Sequence, residues 1–200
     1  MKLLLVGINA KYIHSNPAIR ILAEYVKRRL PVEPELLECT INQYTDDILR
    51  AVYEKQPDVI GFSCYIWNIQ MVKAVLPAIR KILPDCTLFA GGPEVSFGSV
   101  AFLQENALDF IIRGEGEIPL TEAMRCLLSG ESYEDVRGLT VRLADSRIRE
   151  NPDRLLRDHA RLSLSLPILF IRRRFKGSFS SASHGFQGAG PFSLAKGSAG

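Results

Sequence analysis

Apolar residues follow two alternating rhythms along this chain: short uninterrupted runs, and longer stretches in which they return every three or four positions. The run "KLLLVGI" (2–8) predicts a buried strand. "NPAIRILAEYVKRRL" then sets Ile19, Leu22, Ala23, Val26 and Leu30 on one helical face, with Asn16 as N-cap and Pro17 at the first helical position. "LLECTIN" (36–42) predicts a second strand, "DDILRAVYEKQ" a helix, and "DVIGFSC" (58–64) a third strand. In "NIQMVKAVLPAIRKIL" a stripe of Val72, Val75, Leu76, Ile79 and Ile82 predicts a helix, kinked at Pro77. "CTLFAGG" (86–92) is a fourth strand, "VAFLQEN" a short helix, "DFIIRG" (109–114) a fifth strand, and "IPLTEAMRCLLSG" a helix closed by Gly130.

Five strand–helix units in succession predict an α/β fold. The expected form is flavodoxin-like (Rossmann-like), a five-stranded parallel sheet with helices on both faces. "GLTVRLADSRIREN" (138–151) breaks the rhythm, because two alternating stretches flank "ADS" and predict an exposed C-terminal β-hairpin that leaves the domain. From Arg157 onward periodicity fails, and a segment rich in Gly and Ser predicts a disordered tail. The expected organisation is therefore an α/β domain over 1–136, a hairpin and linker over 137–156, and a disordered or aberrant tail over 157–200.

Composition narrows the function classes. Of the 25 basic and 22 acidic residues, 157–200 holds 7 and 1, so the net charge of +3 belongs to the tail. A short arginine run there is ordinarily solvated, and no nucleic-acid partner is expected. Cys39, Cys64, Cys86 and Cys126 lack the spacing of a zinc or iron–sulfur site and are read as reduced. The apolar start is too short for a signal peptide and no stretch has the length of a membrane span, which predicts a cytoplasmic protein without a membrane partner.

Chemistry is expected at the carboxyl ends of the strands, above all where the strand order reverses between the first and third. Those ends carry unusual turns: "NAKYIHSNP" with Asn9, Ser15 and Asn16, then "SCYIWN" with Ser63, Tyr65 and Trp67. The fourth strand ends in "GGPEVS" with Gly91, Gly92, Pro93 and Glu94, and the fifth in "RGEGE" with Gly114 and Glu115. Gly91 and Gly92 either admit something close to the backbone or serve a tight turn. There is no GxGxxG after the first strand and no GxxxxGK[ST], which removes the main support for dinucleotide and P-loop readings. Asn9 and Ser63 stand where a receiver domain needs acidic residues.

"DVIGFSCYIWN", "LFAGGPEVS" and "DFIIRGEGE", behind "LLLVGINAKYIHSNPAIR", resemble the N-terminal cobalamin-binding domain of cobalamin-dependent radical S-adenosylmethionine enzymes. The likeness runs from Met1 to about Asn151. It implies a corrin over the carboxyl edge of the sheet and a nucleotide tail beside the first and third strands. Ser63 would then hydrogen-bond the tail, with Tyr65 and Trp67 as apolar cover at the corrin rim. Asn9, Ser15, Asn16, Gly91, Gly92, Pro93, Glu94, Gly114 and Glu115 complete the expected cofactor-binding set. "KYIHSNP" does not match the DxHxxG of domains that supply a cobalt-ligating histidine, so His14 is not assigned to the metal and base-off cobalamin without a protein histidine is expected.

The CxxxCxxC of the radical domain is also missing. The resemblance thus implies a module that is not catalytic alone, in a chain truncated or shifted out of frame near its end. The iron–sulfur cluster and S-adenosylmethionine would belong to the missing domain of the same parent polypeptide. Taken singly, the residues have plainer explanations: Ser63 satisfies a strand end, Trp67 packs at a helix start, and Glu94 and Glu115 sit near helix N-termini that favour carboxylates. Arg113 pairs either with a ligand phosphate or with Glu115 or Glu117. The alternative function is a nucleotide-using α/β enzyme, a nicotinamide oxidoreductase or a methyltransferase, and a third is a ligand-free interaction module.

Overall fold

The computed structural model describes residues 1–11 and 15–154. Tyr12, Ile13 and His14 lie outside the described residues, as does the segment expected to be a disordered tail. The elements run β1 (Leu3–Asn9), α1 (Pro17–Lys27), β2 (Glu35–Thr40), α2 (Thr45–Lys55), β3 (Val59–Ser63), α3 (Ile69–Ile82) and β4 (Thr87–Gly91). They continue with α4 (Pro93–Ser96), α5 (Ser99–Glu105), β5 (Phe110–Ile112), α6 (Glu117–Ser129), β6 (Leu139–Arg142) and β7 (Ile148–Glu150). The sheet order is β2-β1-β3-β4-β5-β6-β7. The first five strands in that order are parallel and β6 and β7 are antiparallel additions at one edge.

Every residue of β1 is buried because the sheet is covered twice. Leu4, Val6 and Ile8 point into a core shared with α2, α3 and α5, whereas Leu3 and Leu5 point into one shared with α1 and α6. Asn16 caps α1 as the sequence predicts, its side chain accepting from the Ile19 N–H, and Ile19, Ala23 and Val26 are buried. In α3 the stripe Val72, Val75, Leu76 and Ile79 is fully buried and the helix continues past Pro77. Ile82 departs from the expected stripe: it is 41% exposed, and Leu83 packs against the core at that end.

The hairpin also departs from expectation. It does not project from the domain but extends the sheet, with β6 hydrogen-bonded to β5 and Leu139, Thr140 and Val141 buried. The physical reason is the three-residue β5, whose apolar Phe110 and Ile112 would otherwise leave an open edge. Because β7 runs antiparallel to β6, it ends on the same carboxyl edge as β1 to β5.

Candidate functional site

Helix α1 leaves β1 towards one face of the sheet and α3 leaves β3 towards the other, so the two strand ends bound a crevice at the point where strand order reverses. One row of paired residues crosses the sheet just inside this edge: Glu38, Gly7, Ser63, Gly91 and Ile112. Parallel register puts these on a common face.

Ser63 is the polar centre of the row and only 8% exposed. Its hydroxyl accepts a hydrogen bond from Asn16 Nδ2 at 2.6 Å, and the Asn16 backbone N–H donates to Glu38 at 2.7 Å. Glu38 also pairs with Arg20 on α1. Gly7 allows this closeness, since a Cβ there would lie 2.9 Å from the Asn16 Cβ and 3.0 Å from Ile19 Cδ1. A hydroxyl that accepts one bond keeps its own proton to donate. On the other flank of Ser63 the situation is reversed: a Cβ on Gly91 would meet nothing nearer than Ile112, at an ordinary 3.6 Å. Neither packing nor a positive φ requires glycine at 91. The row therefore leaves an open lane beside the serine hydroxyl.

The turn after β3 is held from within. Asn68, fully buried, donates from Nδ2 to the carbonyl oxygens of Ile8 and Ser63, both at 2.9 Å, and its Oδ1 accepts the Tyr65 N–H at 2.8 Å. The Tyr65 and Trp67 rings stack with centroids 4.5 Å apart and planes 5° from parallel. Trp67 remains 46% exposed and Ile66 is exposed beside it. Burial, with Glu94 adding to it, pushes the Cys64 thiol up to about 12, so no thiolate is presented here near neutral pH.

Gly92 differs from its neighbour. Its φ is +112°, and a Cβ would sit 2.5 Å from the Cys64 carbonyl oxygen. It serves the turn, the second of the two alternatives that the sequence left open for this pair. Pro93 and Glu94 open the short helix α4 and are exposed. Ser96, which the sequence reading passed over, donates to the Gly92 carbonyl at 2.9 Å and accepts the Gly114 N–H at 3.2 Å, tying the two glycine turns together. Gly114 and Glu115 are exposed, as is Ser15, while Asn9 is buried at the end of β1.

Arg113 is not offered to a ligand. It pairs with Glu150 at 3.0 Å and Asp153 at 2.6 Å and donates to the Asn151 carbonyl, neither of the partnerships the sequence suggested.

Among the expected residues, then, Asn16, Ser63 and Gly91 form one polar lane, Tyr65 and Trp67 an aromatic shelf, and Gly92 and Gly114 a linked pair of turns. Asn68, Glu38 and Ser96 were missed. Asn68 stands at the N-cap position of α3, yet its side chain makes no capping bond and turns back to the strand ends instead. Among the described residues no cluster of three or more His, Cys, Asp or Glu is arranged to hold a metal. A hydroxyl donor beside a position free of a side chain, with a stacked aromatic pair in the turn that follows the same strand, fits a group with a long polar tail and a broad macrocycle.

Comparison with known proteins gives the class. The B12 binding domain family matches residues 3–124, more than half of the chain, and the chain belongs to that family. It is 30% identical over 112 residues to the cobalamin-dependent radical SAM methyltransferase TokK of Streptomyces tokunonensis, covering 55% of this chain and 16% of that protein. It is 29% identical over 124 residues to the hopanoid C-3 methylase of Methylococcus capsulatus, covering 60% and 24%. The solved structure of the cobalamin-dependent S-adenosylmethionine radical enzyme OxsB, with aqua-cobalamin and S-adenosylmethionine bound, superposes with a TM-score of 0.66 at 19% identity. That match covers 78% of this chain and 22% of OxsB and shows a common fold. The radical methyltransferase TsrM from Kitasatospora setae, with cobalamin and a [4Fe-4S] cluster, gives 0.62 at 19% identity over 77% and 29%.

The particular protein is thus a cobalamin-binding α/β module of the kind found in such enzymes, spanning 16% of the length of TokK and 24% of the hopanoid C-3 methylase. The match to the B12 binding domain family supports the cobalamin-binding reading. No helix among the described residues is long and apolar enough to cross a membrane.

Proposed function

We propose that this module holds base-off cobalamin across the carboxyl edge, for use by a radical S-adenosylmethionine domain of the same parent polypeptide. The observation that carries the placement is the lane beside Ser63: a glycine at 91 that the fold does not require, next to a hydroxyl with a proton to give. Ser63 donates to a polar group of the nucleotide tail. Asn16 fixes the hydroxyl's direction and, with Gly7, closes the lane on the β1 side. Tyr65 and Trp67 shield the corrin rim from water, and Asn9, Ser15, Gly92, Pro93, Glu94, Gly114 and Glu115 line the surrounding turns. When bound, the cofactor supplies a cobalt centre for one-carbon transfer, and methyl transfer is the activity named for TokK. Four free thiols, three of them buried, suit a reducing cytoplasm.

The test is direct: hydroxocobalamin is mixed with the protein and the mixture gel filtered, and corrin absorbance travels with the protein peak. A colourless protein peak contradicts the proposal. His14→Ala leaves the spectrum of the bound corrin unchanged, because cobalt takes no ligand from this residue; loss of binding in that variant would show that it does.

A further inference from the structure

A single carboxamide sits where the two halves of the site meet. The orientation of Asn68 is forced by its partners: a backbone N–H can only face Oδ1, and two carbonyl oxygens can only face Nδ2. The carbonyls belong to Ile8, at the end of β1, and Ser63, at the end of β3, and the N–H belongs to Tyr65. These two strand ends bound the crevice, and Tyr65 carries the inner ring of the aromatic stack.

We infer that Asn68 is the positioning residue of this site, setting the spacing of the β1 and β3 ends and the orientation of the Tyr65–Trp67 shelf with one side chain. Its environment fits that role. Asn68 is completely buried, and both its donor hydrogens and its acceptor are used, so every polar atom is satisfied by the site rather than by the helix it precedes. A residue needed only to start α3 would cap it, and the Asn68 side chain makes no capping bond. Leu or Ala at this position would take the Asn68 donors away from the Ile8 and Ser63 carbonyls and leave the Tyr65 N–H without its acceptor in a water-poor setting.

The inference rests on the cobalamin reading for its ligand but has a readout that does not. Trp67 is the only tryptophan of the chain, so near-ultraviolet circular dichroism of its indole reports this shelf alone. Three variants are compared with the parent protein: Asn68→Ala, Asn68→Asp, and Ile79→Ala, which opens a core cavity further along α3.

Asn68→Ala is expected to flatten the tryptophan band without any cofactor and to weaken hydroxocobalamin binding at least tenfold. Asn68→Asp keeps the acceptor for Tyr65 but sets a carboxylate against two carbonyls. It is expected to retain more of the band while losing affinity. Ile79→Ala lowers the urea midpoint yet leaves band and affinity near those of the parent. The inference is overturned if Asn68→Ala keeps both signals, if Ile79→Ala loses them equally, or if both Asn68 variants fail to fold, which would make the residue a requirement of the fold alone. A parent protein that binds no cobalamin removes the proposed function, while the dichroism of the apo variants still decides the positioning role.

Discussion

Gly91 and Gly92 adjoin in sequence and are glycines for different reasons. Gly92 has a positive φ and faces the Cys64 carbonyl, so Gly92→Val is expected to lower stability by about 1 kcal/mol or more, read as a lower urea midpoint with or without cofactor. Gly91 has room for a side chain. Gly91→Val is expected to leave the urea midpoint almost unchanged and to abolish corrin retention on gel filtration; retained corrin would place the tail elsewhere. The sequence marked this pair but could not separate its members, because "GG" carries no information about which residue turns the chain. Asn16 and Ser63 were both legible as polar residues in strand-end turns. Their mutual hydrogen bond was not, since it joins residues 47 apart and depends on Gly7 letting α1 approach β1. Asn68 hid behind the commoner role of asparagine at a helix start.

At the scale of elements, the five parallel strands and their helices were legible because each alternates between buried runs and 3.6-residue stripes. The hairpin was recognised as a hairpin but not as part of the sheet: alternating apolar and polar residues look the same on an exposed ribbon and on an edge strand with one covered face. What decides its position is long-range. Arg113, only 10% exposed in its side chain, binds Glu150, Asp153 and the Asn151 carbonyl, and the Arg113 N–H donates to the Gly138 carbonyl at 2.8 Å. Removing this guanidinium unties Glu150, Asp153 and the Asn151 carbonyl from β5. Arg113→Met is therefore expected to speed amide hydrogen exchange at Thr140 and Val141 markedly while leaving amides of β1 and β3 protected. Uniform protection across the sheet would mean that strand pairing alone holds the hairpin.

On the scale of the whole molecule, the chain from β7 passes through Asn151 on the edge that carries the candidate site, and Arg113 fixes it there. Stability should carry the mark of the buried cysteines. Burial raises both Cys64 and Cys86 from the ordinary 9.0 to about 12, so between those values the folded thiols stay protonated while unfolded ones ionise. The unfolded state binds fewer protons in that window, and the contribution of these groups is full below pH 9 and falls as pH rises towards 12. The urea midpoint is expected to decline between pH 9 and 10.5 more steeply than in the variant Cys64→Ala/Cys86→Ala; equal slopes would show that other groups dominate. Cobalamin at a hundredfold excess over its dissociation constant should add about 2.7 kcal/mol to the parent protein.

The central claim, that cobalamin binds across the β1 and β3 ends, is met most directly by titrating the full chain with hydroxocobalamin and following Trp67 emission, corrected for corrin absorption. The only indole of the protein lies on the proposed shelf, stacked on Tyr65 and half open to solvent. Bound corrin is expected to quench it in a saturable curve that ends at one equivalent. Binding elsewhere would leave the emission of Trp67 unquenched at saturation, and an absence of binding would leave it unchanged throughout; either result would contradict the account.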